Sequence, residues 1–426
     1  MMSSPMTRRR FLERSTQVAM TAGVAGSLLA ACGGSTTTSG SAKATITFWN
    51  AYAVTDPENA TLLSQVIPAF EKKYPNITVK SQNIPYQSLL EKLTATVAGG
   101  AGPDVVRSDI IWMPQLAKIG ALVPTDDIVA QRKSDFYAGP LATCSYKGKY
   151  YGLPLDTNTR VIFYDKTVLS QVGVSEPPTT TADFQMIAQK VTALGKNFFG
   201  FADGGLDPWN IFPWIWSFGG AVTNDAYTKA SGYINGAQSV AALDFLVGLY
   251  KSRALAPNIV GGSTYSPDDE FGKNHLGFIL DGPWVVPTLQ QSYPTLQYAT
   301  ALMPAGPAGS TSSVVGGEDI TVMSSSKNID AATTFMQYMT SEDVQVMMGK
   351  VGQMPVLKSL EGDARLPTYF SMFAKQLETA KPRTVSPNYT KIETILTDAF
   401  GRAFRGQATA QAALDTAAQQ MDPLLA

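Results

Sequence analysis

The sequence predicts an α/β fold. Three observations carry that reading. Short runs such as Thr45-Ile46-Thr47-Phe48-Trp49 alternate apolar and polar positions and are rich in β-branched and aromatic residues, as half-buried strands are. Between such runs, apolar residues recur every three or four positions, the period of one helix face. Strand and helix patterns take turns, the order that builds a mostly parallel sheet covered by helices.

Each element can be justified in chain order. After the first strand, residues 58–74 carry Leu62, Val66, Phe70 and Tyr74 at four-residue steps, and Pro75-Asn76 stops that helix. Ile77-Thr78-Val79 is the next strand. Leu89, Leu90, Leu93 and Val97 form a helical stripe that Gly99-Gly100 ends. Asp104-Val105-Val106 is a short buried strand. Residues 146–150 read as a hairpin turning on Lys147-Gly148, and 161–164 as a further strand. Beyond Asp183 helices dominate: Phe184, Ile187, Val191 and Leu194 share a face, as do Val240, Leu243, Val247 and Tyr250. Residues 277–280 form a strand followed by the turn Asp281-Gly282-Pro283-Trp284. Val314-Val315 and 320–323 flank Gly316-Gly317, and from Asp330 the chain is helical over 330–340, 342–348, 368–379, 389–404 and 408–421.

The N-terminus is not part of this pattern. Arg8-Arg9-Arg10 precedes a nearly uncharged run, residues 18–31, the layout of an export signal and too short for a comfortable membrane span. Residues 7–13, TRRRFLE, resemble the twin-arginine signal pattern, with Glu13 where Lys is usual. Leu29-Ala30-Ala31-Cys32 resembles the bacterial lipoprotein box, which implies a signal over 1–31 cleaved before Cys32 and lipid on its sulfur. An ordinary secretory signal with a chance cysteine is the alternative. The Gly/Ser/Thr-rich residues that follow Cys32, up to 44, have the composition of a flexible linker. Cys144 is then left without an intrachain partner and reads as a small, partly buried apolar residue rather than a reactive thiol.

Removing 31 residues from 426 leaves 395, enough for two lobes. Taking the signal's net +3 from the chain's −1 leaves the mature protein near −4, so no basic surplus points to nucleic acid. A single histidine, His275, gives histidine triads and metal–histidine clusters almost no material. No Walker loop or GxGxxG occurs, and Ser324-Ser325-Ser326-Lys327 has an SxxK form without its usual companions. These readings predict no cofactor and no metal. A carboxylate-pair glycosidase stays open, because Asp104, Asp109, Asp156, Asp207, Asp281 and Glu318 lie near loop signals.

What the chain offers instead is aromatic residues beside hydrogen-bonding ones. Trp49-Asn50-Ala51-Tyr52 ends the first strand, and Asp109 and Trp112 stand three apart. Asp156 and Asn158 follow Gly152-Leu153-Pro154, Asp207-Pro208-Trp209 opens an aromatic run, and Trp284 closes a turn. A sugar ring has an apolar face and a polar hydroxyl rim, which an indole and a set of carboxylates or amides would match.

These phrases, in this order, resemble the extracellular solute-binding proteins of bacterial ABC importers, in the sugar-binding, maltose-binding-protein-like group. The resemblance rests on ITFWNAY (46 onward), FEKKYPNITV (70–79), AGGAGPDVV (98–106), GKYYGLPLDTNTRVIFYDK (148–166), FILDGPW (278–284) and VGGEDITVM (315–323). It implies a two-lobed periplasmic-binding-protein-like fold of type II, hinged around a central ligand cleft. The lobes would be 45–157 with 305–352 and 158–304 with 353–426, with hinge crossings near 156–159, 303–304 and 352–355. By matching position, ligand contacts would be Trp49, Asn50, Tyr52, Asp109, Trp112, Asp156, Asn158, Asp207, Trp209 and Trp284, then Gly316, Gly317 and Glu318 on a loop over the ligand, and Arg383. The resemblance further implies a non-enzymatic, monomeric receptor that passes a carbohydrate to an ABC importer permease outside the cytoplasm. Arg107, Arg160 and Arg383 keep an anionic ligand, glycerol phosphate or a glycerophosphodiester, as the second reading.

Overall fold

The first strand, β1 (Ala44–Asn50), buries Ile46 and Phe48 completely, as its alternation requires. In the computed structural model the described residues are 43–261 and 265–425. The export signal, Cys32 and the linker up to residue 42 lie outside them, and Ala44, expected at the linker's end, already belongs to β1. β2 (Ile77–Asn83) and β3 (Val105–Asp109) flank β1 in parallel. β4 (Ser145–Tyr146) and β5 (Lys149–Tyr150) make the predicted hairpin. Lys147 and Gly148 both take positive φ, 50° and 78°, as a two-residue turn matched to strand twist demands.

β6 (Leu153–Asn158), β7 (Val161–Asp165), β8 (Phe199–Ala202), β9 (Leu276–Asp281), β10 (Tyr298–Ala301) and β11 (Gly316–Val322) complete two larger sheets. One has the order β2-β1-β3-β11-β6, the other β10-β7-β9-β8. The first sheet is less parallel than expected, because β11 runs antiparallel to both β3 and β6. β11 enters directly from the second sheet, so the helical crossover that enforces parallel pairing does not apply to it.

The chain leaves the first sheet at Thr159-Arg160 and returns between β10 and β11. The two passages are tied together: Thr159 Oγ1 donates to the Val314 carbonyl (2.7 Å) and Ser313 Oγ to the Arg160 carbonyl (2.8 Å). Near the third expected crossing, 352–355, Met354 is buried in the second-sheet core and its carbonyl accepts from the Thr157 N–H (3.2 Å). Val356, Leu357 and Leu360, which follow, are buried in the first-sheet core with Val322, and Phe370 and Phe373 lie in the second-sheet core.

The predicted 58–74 helix forms as Pro57–Thr61, a π-helical turn Leu62–Val66, and Ile67–Lys73. Pro68 lacks the N–H that would continue the regular ladder, which accounts for the wider turn before it. Helix Pro208–Ser217 was not legible in the periodicity, for every residue of it except Trp209 is buried. A helix that is apolar all round shows no stripe. Its Trp214 packs against Phe184 and Phe201 at ring separations of 5.1 and 5.5 Å. The late helices fall close to expectation, among them Tyr389–Phe404 and Ala410–Leu425, which pack on each other and on Ala237–Lys251.

Candidate functional site

Strand register assembles the first half of the site. β11 lies between β3 and β6, so Glu318 stands opposite Asp109 on one side and Asp156 on the other. Arg107, two residues before Asp109 on β3, shares its face. Its guanidinium lies 2.8 Å from Glu318 Oε2, 3.4 Å from Asp156 Oδ2 and 4.4 Å from the centre of the Tyr52 ring. Gln353 Nε2 donates to the Tyr52 hydroxyl (2.7 Å). Two neighbouring strands and the segment after β1 thus converge on one arginine, with Gln353 behind Tyr52.

Asp109 ends β3 and caps the turn after it, accepting from the Ile111 N–H at 3.0 Å. Its other contacts come from outside the strand: the Tyr86 hydroxyl donates at 2.6 Å and Arg383 at 2.9 Å. Tyr86 stacks on Trp112, ring centres 5.4 Å apart and planes 29° apart. The second half of the site comes from the other sheet. Trp209 opens helix Pro208–Ser217 and Trp284 follows β9, and their rings lie 6.3 Å apart, tilted by 30°. Arg383 sits 5.1 Å from the Trp209 ring, within cation–π reach.

Gly316 is required where these halves meet. A Cβ there would stand 2.1 Å from Asn158 Oδ1 and 2.6 Å from the edge of Trp209. Gly317 takes φ 137°, and a Cβ on it would strike the Asp156 carbonyl at 2.5 Å. Both glycines open strand β11 rather than forming the loop that the resemblance implied.

The enclosed charges perturb one another. Burial pushes the Glu318 carboxyl well above the usual range, Arg107 opposes this, and Asp156 adds to it. Asp156 is raised by burial too, with Arg107 again opposing. The approach of the two carboxyls to each other raises Glu318 further and holds Asp156 lower. Burial lifts Glu58 to about 7 against the pull of Arg107. Burial likewise lifts Glu393 to about 7, with Arg383 lowering it and Asp207 raising it. For Arg107 the order is reversed: burial pulls its pKa down, and the carboxylates around it, Glu318 first, raise it further than that.

All of this lines a cleft of about 1050 Å³. Of the residues predicted as contacts, Tyr52, Asp109, Trp112, Asp156, Asn158, Asp207, Trp209, Trp284, Gly316, Gly317, Glu318 and Arg383 line it. Trp49 and Asn50 do not. The Trp49 ring points into an apolar cluster with Leu89, Leu93 and Val106, capped by Lys92 Nζ at 4.7 Å. Asn50 is fully buried and spends its amide on structure, donating to Ser81 Oγ (2.9 Å) and accepting from the Tyr52 N–H (3.3 Å). Strand alternation explains the first miss, because a residue at the end of a strand can face core as readily as cleft. Tyr86, Glu58, Gln353 and Glu393 were missed, although all four line the cleft. Only Gln353, inside the predicted hinge segment, carried a signal. Arg107 had been weighed only as part of an anion site. Cys144 is fully buried and donates to Asp319 Oδ1 at 3.0 Å, so its thiol is held well above its ordinary pKa by burial and is no nucleophile. Among the described residues no group of three His, Cys, Asp or Glu is placed to hold a metal ion.

Residues 55–346 match the sequence model of the bacterial extracellular solute-binding protein family, more than half of the chain. The chain belongs to that family. Among its relatives, a putative binding protein of Brucella abortus is 25% identical over 85% of this chain and 89% of its own length. The galactooligosaccharide-binding protein of Bacillus subtilis is 25% identical, covering 92% of each chain. Of solved structures, a solute-binding protein from Thermotoga lettingae bound with α-D-tagatose superposes with a TM-score of 0.81 at 26% identity, over 90% of this chain and 100% of that one. The fold of this family member is the hinged two-lobed α/β architecture of type II periplasmic binding proteins, and its family places it among extracytoplasmic binding proteins of ABC importers rather than among enzymes.

Proposed function

We propose that this chain captures a mono- or oligosaccharide in the cleft and hands it to the permease of an ABC importer. The observation that carries this reading is the Trp209–Trp284 pair beside Asp156, Asn158, Asp207 and Glu318 in one cleft. Indole faces can cover the apolar side of a pyranose while carboxylates and amides accept from its hydroxyls. The names of relatives agree, since galactooligosaccharide- and arabinooligosaccharide-binding proteins of Bacillus subtilis are among them. Contacts come from both sheets, so a ligand touching both sets favours a closed arrangement over an open one, and that difference in affinity drives closure. Cys32 would carry the lipid that holds the receptor, as a monomer, on the outer face of the membrane after twin-arginine-type export.

The anionic alternative fits less well. Arg107 and Arg383 already have carboxylate partners, and Arg160 does not line the cleft. A thermal-shift screen of the full chain against neutral mono- and oligosaccharides tests the proposal. A ligand at a hundred times its Kd should stabilise the protein by about 2.7 kcal/mol. A screen in which glycerol phosphate or a glycerophosphodiester shifts the melting point and no saccharide does would overturn it.

A further inference from the structure

Charge is distributed unevenly in this protein. The whole chain is nearly balanced, with 34 acidic residues against 33 basic ones. Among the described residues, the cleft is lined by eight acidic side chains and two guanidiniums, with no lysine. Both guanidiniums are already engaged, Arg107 by Glu318 and Asp156, and Arg383 by Asp109. A walled cleft with one sign of charge focuses field and concentrates the opposite sign.

The surplus has a local centre. Asp207 heads helix Pro208–Ser217, and its carboxylate accepts only from Asn210 Nδ2 (2.7 Å) among side chains. Glu393, on helix Tyr389–Phe404, lines the same cleft, and Asp207 raises its pKa. Among the described residues no basic side chain forms an ion pair with either. Trp209 lies two residues from Asp207. Next to the Trp209 ring is a second, independent sign of a missing ligand: Asn158, only 7% exposed, lines the cleft with its Oδ1 unpartnered. That oxygen and the Trp209 edge converge on the same point above Gly316. Across the cleft, Gln353 Oε1 is likewise buried without a donor. The unpartnered groups are acceptors, and near Trp209 they are joined by two carboxyls without an ion pair, with Arg383, which also acts on Glu393, committed to Asp109.

Resting on the sugar-binding reading above, we infer that the preferred ligand is a saccharide bearing a protonated amino group, with the ammonium between Asp207 and Glu393 and its ring against Trp209. A charge-assisted bond to a carboxylate is about twice as strong as its neutral counterpart, so exchanging one hydroxyl for an ammonium here changes affinity measurably.

The test is titration calorimetry of the full chain at pH 7 with three matched series of one to four units: glucosamine oligomers, their N-acetylated forms, and cello-oligosaccharides. These differ only at the C2 substituent. The amines should bind at least tenfold tighter than either neutral series. That ratio should shrink as salt is raised and should fall in Glu393→Gln. Equal or tighter binding by a neutral series overturns the amine assignment while leaving the sugar reading intact. Failure of all three series, together with failure of every saccharide in the thermal-shift screen, overturns both.

Discussion

Arg107 and Arg160 are both buried arginines among carboxylates, and they serve opposite ends. Arg160 is closed. Its guanidinium donates to both oxygens of Asp203 and to the carbonyls of Leu280 and Trp209, and its side chain is only 4% exposed. Arg107 is open. It lines the cleft beside Glu318, Asp156 and Glu58, carboxyls that outnumber it. A pair shut away from the cleft fixes geometry, whereas one on the cleft wall keeps capacity for a ligand. The two are linked, because Arg160 holds the backbone of Trp209 and so positions the aromatic surface that the open centre's ligand would meet.

Removing each arginine gives the largest contrast. Arg160→Ala leaves Asp203 buried and unpaired, and breaking such a pair costs about 3–5 kcal/mol. Burial already holds Asp203 at about 6 even with Arg160 present. Arg107→Ala should cost less than half as much, since its carboxylates face the cleft and can take up protons. Chemical denaturation at pH 7 checks both, and equal losses would erase the distinction between the centres.

Neighbouring residues on β11 repeat the comparison. A bulge falls between Glu318 and Asp319: the first faces the cleft, the second is fully buried, accepting from Cys144 Sγ (3.0 Å) and Thr143 Oγ1 (2.9 Å). Burial holds Asp319 at about 7 rather than 3.8. A carboxyl raised in the folded state contributes its full stability below its ordinary pKa. That contribution falls as pH rises from about 4 to 7 and is level above, an effect of up to about 4 kcal/mol. Glu58 and Glu393, both near 7, act in the same direction. Asp319→Asn should flatten the fall and leave the variant more stable at pH 8 relative to wild type than at pH 4, by up to about 4 kcal/mol. Melting temperatures that keep the wild-type slope would remove Asp319 from the closed set.

Much of the open centre could be read in the sequence, and little of the closed one. Asp156-Asn158 and Asp207-Trp209 announce themselves by placing acid, amide and indole at the ends of elements. The meeting of Arg160, Asp203 and Leu280 is not announced, because it depends on strand β9 pairing with both β7 and β8, far apart in the chain. The same limit hid Glu393 and Tyr86, which reach the cleft from helices whose stripes report only the core-facing side. Strands were legible where alternation met a half-buried face, as in β1. The helix Pro208–Ser217 was not, because nine of its ten residues are buried and the tenth is the one that faces the cleft.

Trp49 and Trp284 give the smallest but sharpest version of the contrast, since both were assigned to ligand from the sequence. Trp284 lies at the cleft wall beside Trp209, its indole turned toward Asp281. Trp49 is 7% exposed and packs in its apolar cluster beneath Lys92. Trp284→Ala should therefore weaken saccharide binding by about 1–2 kcal/mol, roughly tenfold, through lost stacking. Trp49→Phe keeps most of the buried volume, so it should lower the melting temperature slightly and change affinity by less than about threefold. Calorimetric titration of both variants with the saccharide found by screening decides between them. A Trp49 variant that binds as poorly as the Trp284 variant would mean that the cleft extends to the end of β1, and that the sequence-based assignment of Trp49 was correct after all.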